Sequence, residues 1–314
     1  MKPLISVVVP AYNEAGSIEK LHAELRKVMD SFTQPYELIY VDDGSTDGTA
    51  DTLSTLTGAV ILCLARNYGQ ATALDAGFRA AEGDIIVTLD GDGQNDPADI
   101  PKLLERLTDP DVDVATGWRT ERKDPRSIRI ITNAARRLRG WVIGDTIHDS
   151  GCTLRAYRRA AIESVDLFGE MHRYLLALLI WKGFRVVEVP VTHRARTAGT
   201  SKYGWSKAIR GFIDLIYIWF LYRYSERPLH LFGYLSLASF ALGIASAIVT
   251  LHDKLALGIH LNRDGWFFLA IFFLIVALML FSFGLVLDLL MRIYHNTSPR
   301  EQRYYVRRRY IAGS

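Results

Sequence analysis

Short runs of Val, Ile and Leu recur along the N-terminal part of the chain, each closed by a polar, glycine or proline break. They read LISVVVP (4–10), ELIYVDD (37–43), AVILCL (59–64), DIIVTLD (84–90) and DVATG (113–117). Runs of this length and composition predict β-strands. Strands so nearly continuous in apolar residues predict a parallel sheet covered on both faces. Helical periodicity fills the gaps: Ile18, Leu21, Leu25 and Val28 share a face, as do Ala71, Leu74, Phe78 and Ala81. Ile100, Leu103, Leu104 and Leu107 follow Asp96-Pro97, an N-cap with proline at the first helical position. The alternation predicts a doubly wound, mostly parallel α/β domain of Rossmann-like type over residues 1–203. Ligands of such sheets bind beyond the carboxyl ends of the strands.

The C-terminal part follows a different pattern. Residues 229–251 and 265–287 are two stretches of 23 residues without Asp, Glu, Lys or Arg. As helices each reaches roughly 35 Å, against a hydrocarbon core of about 30 Å. Two transmembrane helices are therefore predicted, at 229–251 and 265–290, joined by an external loop at 252–264. Lys and Arg decide the orientation. Five lie in 201–228 and six in the basic tail 291–314, whereas the loop has two, Lys254 and Arg263. Both termini are thus expected on the cytoplasmic side. The linker 204–228 has only eight charge-free residues in a row, 215–222, flanked by Arg210, Asp214 and Arg223 and rich in Tyr and Trp. This predicts an amphipathic helix lying in the bilayer interface. The apolar stretch after Lys2 stops at Pro10 and reads as a strand instead of a leader.

Composition adds boundaries. With 49% hydrophobic and 23% charged residues among 314, the chain is not disordered. A net charge of +3 gives no global reason to expect nucleic acid as a partner. Cys63 and Cys152 are the two cysteines, without a CxxC pair or a Cys/His cluster, which argues against a zinc site or a disulfide scaffold. Cys63, in an apolar run, is expected in the core.

Acidic and polar residues gather where the predicted strands end. Pro10-Ala11-Tyr12-Asn13-Glu14 closes the first, Asp42-Asp43-Gly44-Ser45 the second and Asp90-Gly91-Asp92-Gly93-Gln94 the fourth. Carboxylates crowded at one sheet edge repel each other unless a cation or hydrogen-bond donors hold them. Asp90 and Asp92 can supply oxygen ligands to Mg²⁺ or Mn²⁺, with phosphate and water completing the shell. An EF-hand does not fit, because its glycine position falls on Asn95 and its final glutamate position on Pro101.

PAYNE, DDGSTDGT and DGDGQ, in this order, resemble the family 2 glycosyltransferases of the GT-A fold. Asn67-Tyr68-Gly69-Gln70, Gly117-Trp118-Arg119, Asp149-Ser150-Gly151-Cys152-Thr153-Leu154-Arg155 and Gly199-Thr200-Ser201-Lys202-Tyr203 narrow the resemblance to polyprenyl-phosphate glycosyltransferases. That subgroup includes dolichyl-phosphate mannose synthase and the bacterial undecaprenyl-phosphate transferases for glucose and 4-formamido-arabinose. The resemblance runs over essentially the whole chain. It implies inverting, metal-dependent transfer of one sugar from a nucleotide-sugar, by its bacterial character a UDP-sugar, to polyprenyl (undecaprenyl) phosphate at the bacterial inner membrane. The product would serve cell-envelope glycan or lipid A modification.

The same resemblance assigns residues. Pro10, Tyr12, Glu14 and Asp42, with Asp43 assisting, match positions that hold the nucleoside. Asp90, Asp92 and Gln94 match positions for the metal and donor diphosphate. Arg119, Arg196 and Lys202 match basic positions that contact donor and acceptor phosphates, and Arg126 and Arg129 both fall where a further phosphate-binding arginine is expected. Many members read DADLQ followed by PP, whereas this chain has Gly91, Gly93 and Asn95-Asp96-Pro97, which keeps both aspartates in a turn of different stiffness.

Elementary chemistry agrees with these roles. A phosphomonoester has a second pKa of about 6, so the acceptor is largely a dianion and already nucleophilic at neutral pH. The site must bring two polyanions together and stabilise the departing diphosphate, tasks for bidentate arginines and a Lewis-acidic cation. Arg119, Asp92 and Asp149 are expected to act at the reacting groups. Asp149, in His148-Asp149-Ser150-Gly151, is expected to serve as a base or an orienting group; alternatively it caps a helix or pairs with Arg155 or Arg158. A processive polysaccharide synthase is the second reading, but none of the six Trp residues has Gln four positions before it, and two spans do not readily line a channel. A non-catalytic membrane scaffold that senses a sugar nucleotide is the third. Two spans per chain also make homo-oligomers in the membrane an expectation.

Overall fold

The structure, a computed structural model, describes residues 4–120, 147–165, 171–194 and 227–297, with isolated positions between them. The chain divides into two compact units that part between residues 215 and 216.

The first unit is built on a sheet that has seven strands among the described residues: β1 (Ile5–Ala11), β2 (Tyr36–Asp42), β3 (Ala59–Cys63), β4 (Ile85–Thr88), β5 (Val114–Arg119), β6 (Arg155–Arg158) and β7 (Val186–Val191). Their order is β3-β2-β1-β4-β6-β5-β7. Every neighbouring pair is parallel except the two that β6 makes, with β4 and with β5. The mixed, mostly parallel α/β class predicted from the apolar runs is therefore the observed one. Helices α1 (Ile18–Met29), α2 (Thr49–Ser54), α3 (Gln70–Ala80), α4 (Ile100–Arg106), α5 (Arg159–Glu163) and α6 (Leu175–Trp181) fill the connections.

Side-chain alternation along the strands divides the core in two. Val7 and Val9 of β1 join Ile18, Leu21 and Leu25 of α1 and Ile100 and Leu103 of α4. Val8, between them, joins Leu74 and Phe78 of α3 and Leu175 and Leu179 of α6. Close approach of α3 to the sheet needs Gly77, because a Cβ there would stand 2.3 Å from Val8 Cγ1. Successive strands run outward from β1 through β2 to β3, and β4 lies on the other side of β1. The order thus reverses between β1 and β4, where open α/β sheets leave a crevice at their carboxyl ends.

Two expectations change. Strands β6 and β7 lie outside the five apolar runs. β6 reads RAYR, with Arg155 buried, and β7 reads VVEVPV, so charge and proline interrupt the pattern that marks a strand. Pro190 is tolerated because β7, among the described residues, is a sheet edge that pairs with β5 alone. Cys63 is exposed instead of buried, since it ends β3, the opposite edge.

The second unit is a hairpin of α7 (Pro228–Ala256) and α8 (Gly265–Thr297). The two helices are long and apolar enough to cross a membrane. Small residues form their seam: beyond Pro228 at its start, the buried positions along α7 are Ser236, Ser239, Gly243, Ser246 and Thr250, and Ala270 and Ala277 are buried on α8. Ser236 Oγ donates to the Ala277 carbonyl at 2.7 Å, and a Cβ on Gly243 would lie 2.9 Å from Leu274 Cγ. Close backbone approach of this kind is how helices associate without a hydrophobic driving force. Large apolar residues such as Leu237, Phe240, Leu278 and Phe283 point outward. Of the predicted interfacial helix, Ile216, Tyr217, Trp219, Phe220, Arg223 and Tyr224 are described and helical, with Trp219 edge-on to Tyr224 at 5.3 Å. Residues 204–215 and the tail beyond 297 lie outside the described residues.

Candidate active site

The loops that follow β1 and β2 are stitched together by side chains their sequences supply. Asn13 takes a positive φ of 57°, and its Oδ1 accepts from Thr46 N at 2.9 Å. In return Asn13 N donates to Ser45 Oγ at 2.9 Å and Glu14 N to Thr49 Oγ1 at 2.8 Å. Gly44, at φ 69°, passes so close to the Arg66 backbone that a Cβ would lie 2.4 Å from its carbonyl carbon. Asp43 is buried, and its two oxygens accept from Tyr68 N at 2.7 Å and Gly69 N at 2.9 Å, which fixes the Asn67-Tyr68-Gly69 loop at the start of α3. Asp42, also buried, accepts from Ser45 N at 3.1 Å.

These loops enclose a cleft of about 290 Å³ at the reversal point of the sheet. Of the positions assigned to the donor by resemblance, Pro10, Tyr12, Glu14, Asp43, Asp90 and Asp92 line it, while Asp42 and Gln94 do not. Gln94 instead uses its backbone: its N–H donates to Asp92 Oδ1 at 3.0 Å and closes the turn, and its carbonyl accepts from Arg194 N at 2.9 Å. Gln70, the first residue of α3, donates from Nε2 to Asp90 Oδ1 at 2.7 Å. The Asp90 carboxyl is pushed up to about 6, first by burial and then by the charge of Asp92. A buried carboxyl raised by burial and by a neighbouring carboxylate is a group whose charged form a bound cation would favour. Among the described residues no third His, Cys, Asp or Glu joins them as a metal-holding group. The donor set therefore fits an ion of the Mg²⁺ or Mn²⁺ type, which is held by one or two carboxylates and completed by substrate phosphates and water.

Beyond Asp90 lies a basic wall. Arg119, at the end of β5, faces Asp149 in the segment before β6: Nε donates to Oδ2 at 2.6 Å, Nη2 to Oδ1 at 2.8 Å, and the Arg119 backbone N–H to Oδ2 at 3.2 Å. Both side chains are nearly buried. Burial alone would lower the Arg119 pKa, but the hydrogen bonds and charge of Asp149 outweigh it and hold it above its ordinary value, with Asp90 adding to the effect. Arg155 and Arg158, the alternative partners for Asp149, serve the backbone instead. Arg155 donates to the carbonyls of Cys152 and Ser150 at 2.7 and 2.6 Å, and Arg158 to those of Val112 and Leu107 at 2.8 and 2.7 Å. Arg126, Arg129, Arg196 and Lys202 lie outside the described residues.

Gln70, Arg155 and Glu188 were not singled out as site residues from the sequence. Gln70 and Arg155 sit inside motifs that carried the resemblance, whereas Glu188, in a strand of valines, had only its charge to mark it.

A mostly parallel α/β sheet carries acidic loops at its switch point and a bidentate Arg–carboxylate pair beside them, and the chain is a glycosyltransferase. It belongs to glycosyl transferase family 2, whose model matches residues 6–166. It is 37% identical over 299 residues to dodecaprenyl-phosphate galacturonate synthase of Rhizobium johnstonii, covering 93% of this chain and 88% of that one. It is 35% identical over 312 residues to undecaprenyl-phosphate 4-deoxy-4-formamido-L-arabinose transferase of Edwardsiella ictaluri, covering 96% and 93%. In fold it resembles glucosyl-3-phosphoglycerate synthase of Mycobacterium tuberculosis, solved with Mn²⁺ and UDP-glucose, at a TM-score of 0.54 and 22% identity over 69% of this chain and 79% of that one.

Proposed function

We propose that this glycosyltransferase moves one sugar from a UDP-sugar to the phosphate of a membrane polyprenol, with inversion at the anomeric carbon. An acceptor phosphate oxygen forms the new bond to the anomeric carbon as the bond from that carbon to the donor diphosphate breaks. Names of full-length relatives support the acceptor class, and the structure solved with UDP-glucose and Mn²⁺ is consistent with the donor. The observation that carries the reading is the pairing of an acidic cleft at Asp90 and Asp92 with a guanidinium, that of Arg119, close enough to act on the charge of Asp90.

The family resemblance, with the placement of the described residues, supports these roles. Pro10, Tyr12, Glu14, Asp42 and Asp43 shape the nucleoside end. Asp90 and Asp92, with Gln94 closing the turn, would hold the divalent ion, which when bound supplies Lewis acidity to the leaving diphosphate. Arg119 holds a phosphate, with Arg196, Lys202 and one of Arg126 and Arg129 as further contacts. Asp149 orients Arg119 and is not the base, because both its oxygens already accept from that guanidinium and a dianionic acceptor needs little deprotonation. The hairpin anchors the chain in a bacterial inner membrane with both termini in the cytoplasm, in keeping with the distribution of Lys and Arg.

Purified protein incubated with labelled UDP-sugars, Mn²⁺ or Mg²⁺ and undecaprenyl phosphate, followed by lipid extraction, tests this. Label in a lipid bearing one sugar is the expected result. Long polymer, or no label with any donor, contradicts it.

A further inference from the structure

Arg119 takes its direction from Asp149, so whatever fixes the backbone at 148–149 also fixes the guanidinium. That hold comes from β7. Glu188 Oε1 accepts from His148 N at 2.9 Å and from Asp149 N at 3.1 Å, while Oε2 lies 2.7 Å from His148 Nδ1. Glu188 stands in register with Thr116 on β5, three residues before Arg119. The His148 ring in turn stacks on Trp118, the residue next to Arg119, at 4.9 Å and 24°. Two strands thus grip the same dipeptide, β5 through Trp118 and Arg119 and β7 through Glu188.

Sheet stability alone does not ask for this residue. A strand position among valines favours a β-branched side chain, and a carboxylate only 15% exposed, placed beside a second anion, is unfavourable unless donors compensate. Three donors do so here, and all belong to His148 and Asp149. Arg119 spends Nε and Nη2 on Asp149, and Nη1 has no hydrogen-bond partner among the described residues.

We propose that Glu188 is a positioning residue for sugar transfer: by clamping the 148–149 backbone it sets the plane of the Asp149 carboxylate and so aims Arg119 Nη1 at a substrate phosphate. The inference rests on the reading of Arg119 as a phosphate contact.

Glu188→Ala and Glu188→Gln in the full-length chain test it, the amide keeping one carbonyl oxygen for the two backbone N–H groups. Glu188→Ala is expected to lower kcat about tenfold or more with the donor KM within about threefold, and Glu188→Gln to recover to within about threefold of the parent. Because the effect passes through Arg119, the double variant Arg119→Ala/Glu188→Ala is expected to be no slower than Arg119→Ala alone. An unchanged kcat in Glu188→Ala, multiplying losses in the double variant, or a loss matched by a smaller folded fraction in thermal melts overturns the inference. If Arg119→Ala itself keeps its kcat, the phosphate assignment fails and the inference with it. If Arg119→Ala is slow and Glu188→Ala is normal, only the inference fails.

Discussion

Arg119 and Asp149, thirty residues apart in sequence, meet as a fork on a carboxylate, with N···O distances of 2.6 and 2.8 Å and little solvent around them. Removing one partner of such a pair strands the other charge, which is far more damaging than the net value of the pair. Asp149→Asn keeps the shape and loses the charge. It is expected to lower turnover by about tenfold or more while donor affinity stays within about threefold. Steady-state kinetics with varied donor check this, and turnover within threefold of the parent contradicts the orienting role.

Arg119→Lys probes the same pair from the other side. Lysine keeps the positive charge but offers a point donor where the fork makes two parallel bonds. A loss of turnover close to that of Arg119→Ala is expected, measured side by side. A lysine variant that works as well as the parent means that charge alone is needed.

The pH response of Asp90 has a definite sign. Its folded-state value of about 6 lies above the ordinary carboxyl value, so between about 4 and 6 the folded, metal-free chain holds a proton that the unfolded chain lacks. Stability from this group is therefore present at low pH and is lost as pH rises through about 6. Cation binding works in the opposite sense, since it needs the ionised form: affinity is expected to fall by up to about tenfold per unit as pH drops below about 6. Calorimetric titration of Mn²⁺ in the presence of UDP measures it, and an affinity that stays flat from about pH 5 to 8 contradicts it.

Gly77 lets α3 rest on β1. A methyl group 2.3 Å from Val8 Cγ1 forces either the helix or the strand to move. Gly77→Ala is expected to destabilise the folded chain by about 1–3 kcal/mol, read by chemical denaturation. Unchanged stability would mean that the two elements are not in the contact described.

Much of this was legible in the sequence, and the parts that were not share a cause. β1, β2, β3, β4 and β5 announced themselves because their apolar runs are unbroken. β6 and β7 did not, because Arg155 and Glu188 occupy strand positions for the sake of the loop between Asp149 and Cys152. Motifs at the ends of β1, β2 and β4 pointed to one edge of the sheet, since topology alone brings parallel strand ends together. The partner of Asp149 was hidden, because Arg155 and Arg158 are its neighbours in sequence while Arg119 becomes its neighbour only when β5 and β6 pair. Cys63 read as core for a similar reason: an apolar run does not reveal that its strand is an edge.

The most direct measurement is formation of a single-sugar lipid by the chain with Asp90→Ala and Asp92→Ala together, beside the parent, with and without chelator. The parent is expected to make product only when a divalent ion is available, and the double variant to fall by about a hundredfold or more, the scale of losing a group that stabilises developing charge. Undiminished product from the double variant in the presence of chelator would contradict the proposal that these two aspartates hold the ion for the leaving diphosphate.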